Sequence, residues 1–133
     1  MKVLKIITLM SFLFIEGVQL HGTLNIVTLF IYLYQFISDI ITFSHPSKIF
    51  WSGGLFGALV ILTFVVVFSC KNYIDKYLLL FCFFALLITI LVFSGVLYPE
   101  NWHRISYGFL ISFIIFMASS IILILKNFKN INK

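Results

Sequence analysis

Five long apolar segments, separated by short polar breaks, fill most of the chain. They run over about 3–20, 24–43, 50–70, 77–98 and 105–125, and a Lys/Asn-rich tail follows at 126–133. The breaks carry turn residues or charges: Gly22 and Thr23, Pro46 with Ser44 and Ser47, Lys71 to Lys76, and Pro99 to Arg104. The last three segments are about 18–22 residues long and do not alternate in polarity. A helix rising about 1.5 Å per residue needs about 20 residues to cross roughly 30 Å of hydrocarbon. A barrel strand would be about half as long and would alternate. Backbone groups in lipid must bond within their own segment, so apolar runs of this length become helices. The pattern predicts an all-α, polytopic integral membrane bundle. It forms one transmembrane domain over 1–133, with four or five transmembrane helices and no soluble domain.

Composition narrows the classes further. The chain is 62% hydrophobic and only 10% charged, against about 45–50% and about 25% in ordinary soluble domains. So few charges cannot cover a soluble surface. A soluble enzyme, a disulfide scaffold, a disordered chain and a nucleic-acid-binding domain are excluded on that ground. The expected partners are the lipid bilayer and, beyond it, a second copy or a larger membrane complex. No nucleic acid and no cofactor are expected.

The first segment has three readings. Lys2 and Lys5 before an apolar run to Ile15 resemble the start of a signal peptide. No small-x-small cleavage site follows, so a span, an interfacial helix and a signal anchor stay open. The choice changes the charge balance. With five spans, Lys2, Lys5, Lys48 and Arg104 lie on one side, and Lys71, Lys76, Lys126, Lys129 and Lys133 on the other. If the first segment does not cross, Lys2 and Lys5 join the second group, which gives a clear positive-inside bias. Hydrophobicity favours five spans and charge favours four. Both arrangements put the C-terminus in the cytoplasm of a multi-pass cell-membrane protein.

Polar residues inside the apolar runs are the candidate chemistry. Asn25, Thr28, Tyr32, Gln35, Asp39 and Thr42 recur at spacings of 3 and 4, which is one helix face. In lipid such a face turns towards other helices or a hydrated cavity. It either glues helices or lines a path. The first segment offers Lys2, Lys5, Thr8, Ser11, Glu16 and Gln19 on one half of its own helical wheel. A tight hairpin between the two segments would bring Lys5 to Asp39 and place Ser11 near Gln35, while Glu16 would find no charge partner. Gln35 would be the deepest of the stripe.

The two outward turns hold His45 and His103. They are weak candidates for a metal or haem, since their spacing matches no metal motif. Cys70 and Cys82 read as apolar filler. Gly53-x-x-x-Gly57 and Gly108-x-x-x-Ser112 predict close helix crossings near the outer leaflet.

Three function classes survive. The first is transport or permeation of a small solute or ion along a polar face of the first two helices. The second is a non-enzymatic accessory, interaction or immunity-type subunit. The third is a membrane redox or quinone protein using His45 and His103. An enzyme is the less favoured class. The orientation is directly testable: a topology reporter fused after Leu125 should read as cytoplasmic, and activity on the opposite side would reverse it.

Overall fold

The computed structural model describes residues 2–18, 22–43, 45–70 and 75–129. Within them every regular element is a helix: α1 (Lys2–Leu13), α2 (Asn25–Ile41), α3 (Trp51–Ser69), α4 (Lys76–Ser94) and α5 (Tyr107–Lys129). Short 3-10 turns at Pro46–Lys48 and Pro99–Arg104 join α2 to α3 and α4 to α5. The fold is thus a small helical bundle of membrane type. Among the described residues α3, α4 and α5 are long and apolar enough to cross a membrane, with mean hydropathies of 2.2, 2.7 and 2.6. The 17 residues of α2 fall short of that length. The 12 residues of α1 span only about 18 Å, so α1 cannot cross alone.

Helix ends depart from the sequence expectation for identifiable reasons. The first helix stops at Leu13, well before residue 20. Beyond it the chain bonds sideways: Gly17 N–H donates to the Thr23 carbonyl at 2.9 Å and Val18 N–H to the Ser94 carbonyl at 2.8 Å. Glu16 and Leu24 form an isolated antiparallel bridge. The fourth helix ends at Ser94 because Gly95 takes φ 71°, a left-handed helix stop. The fifth runs past residue 125 to Lys129 and carries Lys126 and Lys129 in its last turn, where cations suit the helix dipole.

Contacts fix which ends lie together. Lys5 reaches the Cys70 carbonyl at the end of α3, and Tyr77 at the start of α4 meets Phe128 at the end of α5. One end of the bundle therefore gathers Lys2, Lys5, Lys76, Lys126 and Lys129. The other end holds Asp39 against Phe50, Val18 against Ser94, and Glu16 against Ser106. Exposed Trp51, Tyr98, Trp102 and Tyr107 ring that end, the place for interfacial aromatics.

The first two helices do not form the expected hairpin. The Phe12 ring packs on Phe64 and Phe116, inside α3 and α5, and Asn25 bonds the Phe12 carbonyl. Hence α2 starts within the bundle, not at its surface. It then runs antiparallel to α3 towards Phe50. Together α1 and α2 carry the chain from the Cys70 end of the bundle to its Phe50 end, with a break between Leu13 and Asn25.

The α2–α3 contact rests on two glycines. A Cβ at Gly57 would lie 2.5 Å from Leu33 Cδ2, and one at Gly54 2.6 Å from Phe36 Cδ2. The close crossing expected from the small residues is thus an internal one. Around it the core closes with Phe12, Ile15, Val60, Leu86, Ile90 and Phe116, all 2% exposed or less. Gly54→Val should cost about 1–3 kcal/mol through overpacking against the Phe36 ring. Unfolding of the purified chain in mixed micelles checks it; an unchanged midpoint would mean that α2 does not pack there.

Candidate functional site

The break between α1 and α2 is the most unusual feature of the backbone, and polar side chains collect on it. A helix ending inside an apolar bundle leaves its last carbonyls without water. Asn25 bonds one of them and one carbonyl of the break itself. Its Nδ2 donates to the Phe12 carbonyl at 3.0 Å, and its backbone N–H donates to the Ile15 carbonyl at 2.9 Å. Because Phe12 offers an acceptor, the amide must turn its nitrogen that way. Its Oδ1 then points elsewhere and has no hydrogen-bond partner, although Asn25 is 0% exposed.

A buried seam descends from Asn25 along α1. Ser11, Thr8 and Lys5 are all buried, one turn apart. The Ser11 hydroxyl donates to the Thr8 carbonyl, and the Thr8 hydroxyl to the Leu4 carbonyl, each at 2.9 Å. Lys5 Nζ donates to the Cys70 carbonyl at 2.8 Å. Its ammonium, 5% exposed, is thus set against the carbonyl end of α3. Opposite the seam, α5 presents buried Ser119, Ser120 and Asn127. Ser119 donates to the Phe116 carbonyl, while Ser120 Oγ and Asn127 Oδ1 have no hydrogen-bond partner.

At the far end of the break Glu16 is half-buried against α5. Ser106 Oγ accepts the Phe109 N–H at 3.1 Å, capping the helix, and donates its own proton to Glu16 Oε2 at 3.0 Å. Gly108 leaves room for this: a Cβ there would sit 2.8 Å from Oε2. The carboxylate therefore rests at a helix N-terminus, where negative charge is favoured.

The candidate stripe divides. Asn25 and Thr28 are buried, and Thr28 shares a 2.8 Å hydrogen bond with Thr23. Tyr32 is half-buried and stands edge-on to Phe50 and Phe93, with centroids 5.1 Å away in both cases. Asp39 Oδ2 accepts the Phe50 N–H at 3.0 Å, at the start of α3. Gln35 is exposed. Its neighbour Phe36 meets Gly54, four residues into α3, so Gln35 lies near the aromatic-ringed end of the bundle rather than deepest. Gln19 falls outside the described residues.

Two expected pairings are corrected. Lys5 and Asp39 sit at opposite ends of α3, since each is bound to a different terminus of it. Ser11 bonds within its own helix and not to Gln35. His45 is exposed, and His103 is exposed with its Nε2 accepting from Arg104 Nε. Among the described residues no group of three or more His, Cys, Asp or Glu is placed to hold a metal. Sequence reasoning missed Ser120 and Asn127. For Ser120 the only signal was polarity in a strongly apolar segment, and Asn127 was read as part of the polar tail. It also missed the Ser106 cap, which a Ser just before a helix could have suggested.

Comparison of the chain with protein-family models, with curated proteins and with solved structures gives no match.

The Glu16 contact makes a prediction. Glu16→Ala should lower stability by about 1 kcal/mol, from the lost helix-end interaction. Ser106→Ala should cost a similar amount, and the double variant less than the sum, because the two side chains act as a unit. Chemical unfolding of the three variants measures the coupling. Strict additivity would show that the carboxylate does not depend on the cap.

Proposed function

We propose that this is a small integral membrane protein that lets a small solute or ion pass along the buried face of α1, with the interrupted α1–α2 crossing as its working part. The observation that carries the reading is Asn25, fully buried at the break with an acceptor left over. Irregular backbone at membrane depth is tolerated where it is enclosed by protein or lines a cavity. Membrane transporters use such broken helices to bring unpaired polar groups to the substrate. Below the break, Ser11, Thr8 and Lys5 continue the polar face towards the lysine-rich end. By the positive-inside rule that end, with the C-terminus, is cytoplasmic.

One observation favours the accessory or interaction reading instead. The hydroxyls of Thr8, Ser11, Thr63, Thr89 and Ser119 are all satisfied within their own helices, as they would be in a seam used only for packing. The redox reading has no comparable support, because His45 and His103 lie on separate exposed turns.

Flux separates the first two readings. The full chain, reconstituted in vesicles, is expected to dissipate an imposed gradient of protons, small monovalent cations or small anions, read by entrapped dyes. Asn25→Leu should reduce that rate at least tenfold while the helical spectrum persists. Rates equal to those of empty vesicles for all three gradients would remove the transport reading and leave the accessory one.

A further inference from the structure

We infer that a single water molecule binds between α1 and α5, bridging the hydroxyls of Thr8 and Ser120. The seam holds a small cavity of about 20 Å³, with Thr8 and Ser120 in its lining and Leu9, Val67, Leu79 and Phe83 among its apolar walls. A space needs about 10–15 Å³ on this measure to admit one water. This one therefore has room for a water.

The hydrogen-bond accounting explains why the cavity is wet. A serine in a membrane helix ordinarily turns its hydroxyl back to the carbonyl three or four residues earlier. For Ser120 the carbonyl four residues back is that of Phe116, which already accepts from the Ser119 hydroxyl at 3.1 Å as well as from the helix ladder. Both of its lone pairs are taken. The Met117 carbonyl, three residues back, is not bonded by it either, and Ser120 Oγ is without a hydrogen-bond partner in a residue only 2% exposed. Across the cavity, Thr8 has given its proton to the Leu4 carbonyl, so its oxygen still has lone pairs to accept with. A bridging water takes the Ser120 proton and gives one of its own to Thr8. Two polar partners are the minimum for a held internal water, and the site supplies both on facing helices. The water then ties α1 to α5 at the level between Lys5 and Phe12, where no direct side-chain hydrogen bond joins them among the described residues.

The proposal does not depend on conduction. Solid-state NMR of the full chain in lipid bilayers, with magnetisation transferred from water protons to the protein, reads it without any flux. Transfer is expected at Thr8 and Ser120. It should be absent at Thr63 and Thr89, whose hydroxyls are buried and satisfied within α3 and α4. Ser120→Ala, a change small enough to leave the helix packing intact, should abolish the signal at Thr8. Thr8→Val should do the same at Ser120, and it stands in if Ser120→Ala does not fold. Signal at both hydroxyls in the wild type, lost at each when the other is replaced, establishes the bridge. Transfer no stronger than at Thr89, or transfer at Thr8 that survives Ser120→Ala, overturns it.

Discussion

A backbone carbonyl inside an apolar bundle has no water to turn to, and leaving it unbonded costs about 1–3 kcal/mol. The break after α1 creates that problem, and Asn25 meets it with a side-chain donor to the Phe12 carbonyl and a backbone donor to the Ile15 carbonyl. Much of the remaining layout follows. Because Asn25 is also the first residue of α2, α2 must begin beside Phe12, within the bundle. From there it reaches the start of α3, and Gly54 and Gly57 let it lie close along that helix. The strand-like stretch before it is fixed in turn by the ends of α4 and α5, through Ser94 and Ser106.

Charge inside the apolar segments obeys a related rule. Lys5 sits on the carbonyl end of α3, Asp39 on the amide end of α3, and Glu16 on the amide end of α5. In these contacts each charge faces a helix terminus of opposite sign rather than a counter-ion. Such contacts contribute about 0.3–1 kcal/mol, and up to about 2 when partly buried. They also place each charged group near an end of the bundle, where desolvation costs least. The sequence expectation of a Lys5–Asp39 pair followed from a tight hairpin between the first two segments, which does not form. Helix ends receive the two charges instead, and they separate the two residues by the length of α3.

Segment lengths and hydropathy were enough to read the helical membrane class and the three long helices, because those properties are local and are set by backbone satisfaction in lipid. The polar stripe was only half legible. Spacing of 3 and 4 identifies a shared face, but not how far along the helix that face stays covered. Asn25 and Thr28 are covered by α1 and the break, whereas Gln35 has already run towards the bundle's end. The break itself was illegible. Residues 14–18 contain no proline, and Glu16 and Gly17 are their only local break signals. What ends α1 is a set of partners distant in sequence, at Thr23, Ser94 and Asn25. The unpaired hydroxyl of Ser120 was hidden for a similar reason, since burial and partners depend on how α5 packs.

The break also bears on the unsettled charge count. Hydrophobic length alone argues for five crossings and a nearly even division of Lys and Arg. If α1 and α2 were two full spans, Lys5 would lie at the end opposite Cys70, beside the aromatic ring of Trp51 and Trp102. Its 2.8 Å contact with the Cys70 carbonyl forbids that. With α1 and α2 running in sequence from one end of the bundle to the other, Lys2 and Lys5 fall with Lys76, Lys126 and Lys129, and among the described residues only Lys48 and Arg104 are left at the other end. The gathering of these lysines at one end of the bundle is therefore a consequence of the broken helix. The same Asn25 that satisfies the broken backbone thus bears on where these charges collect.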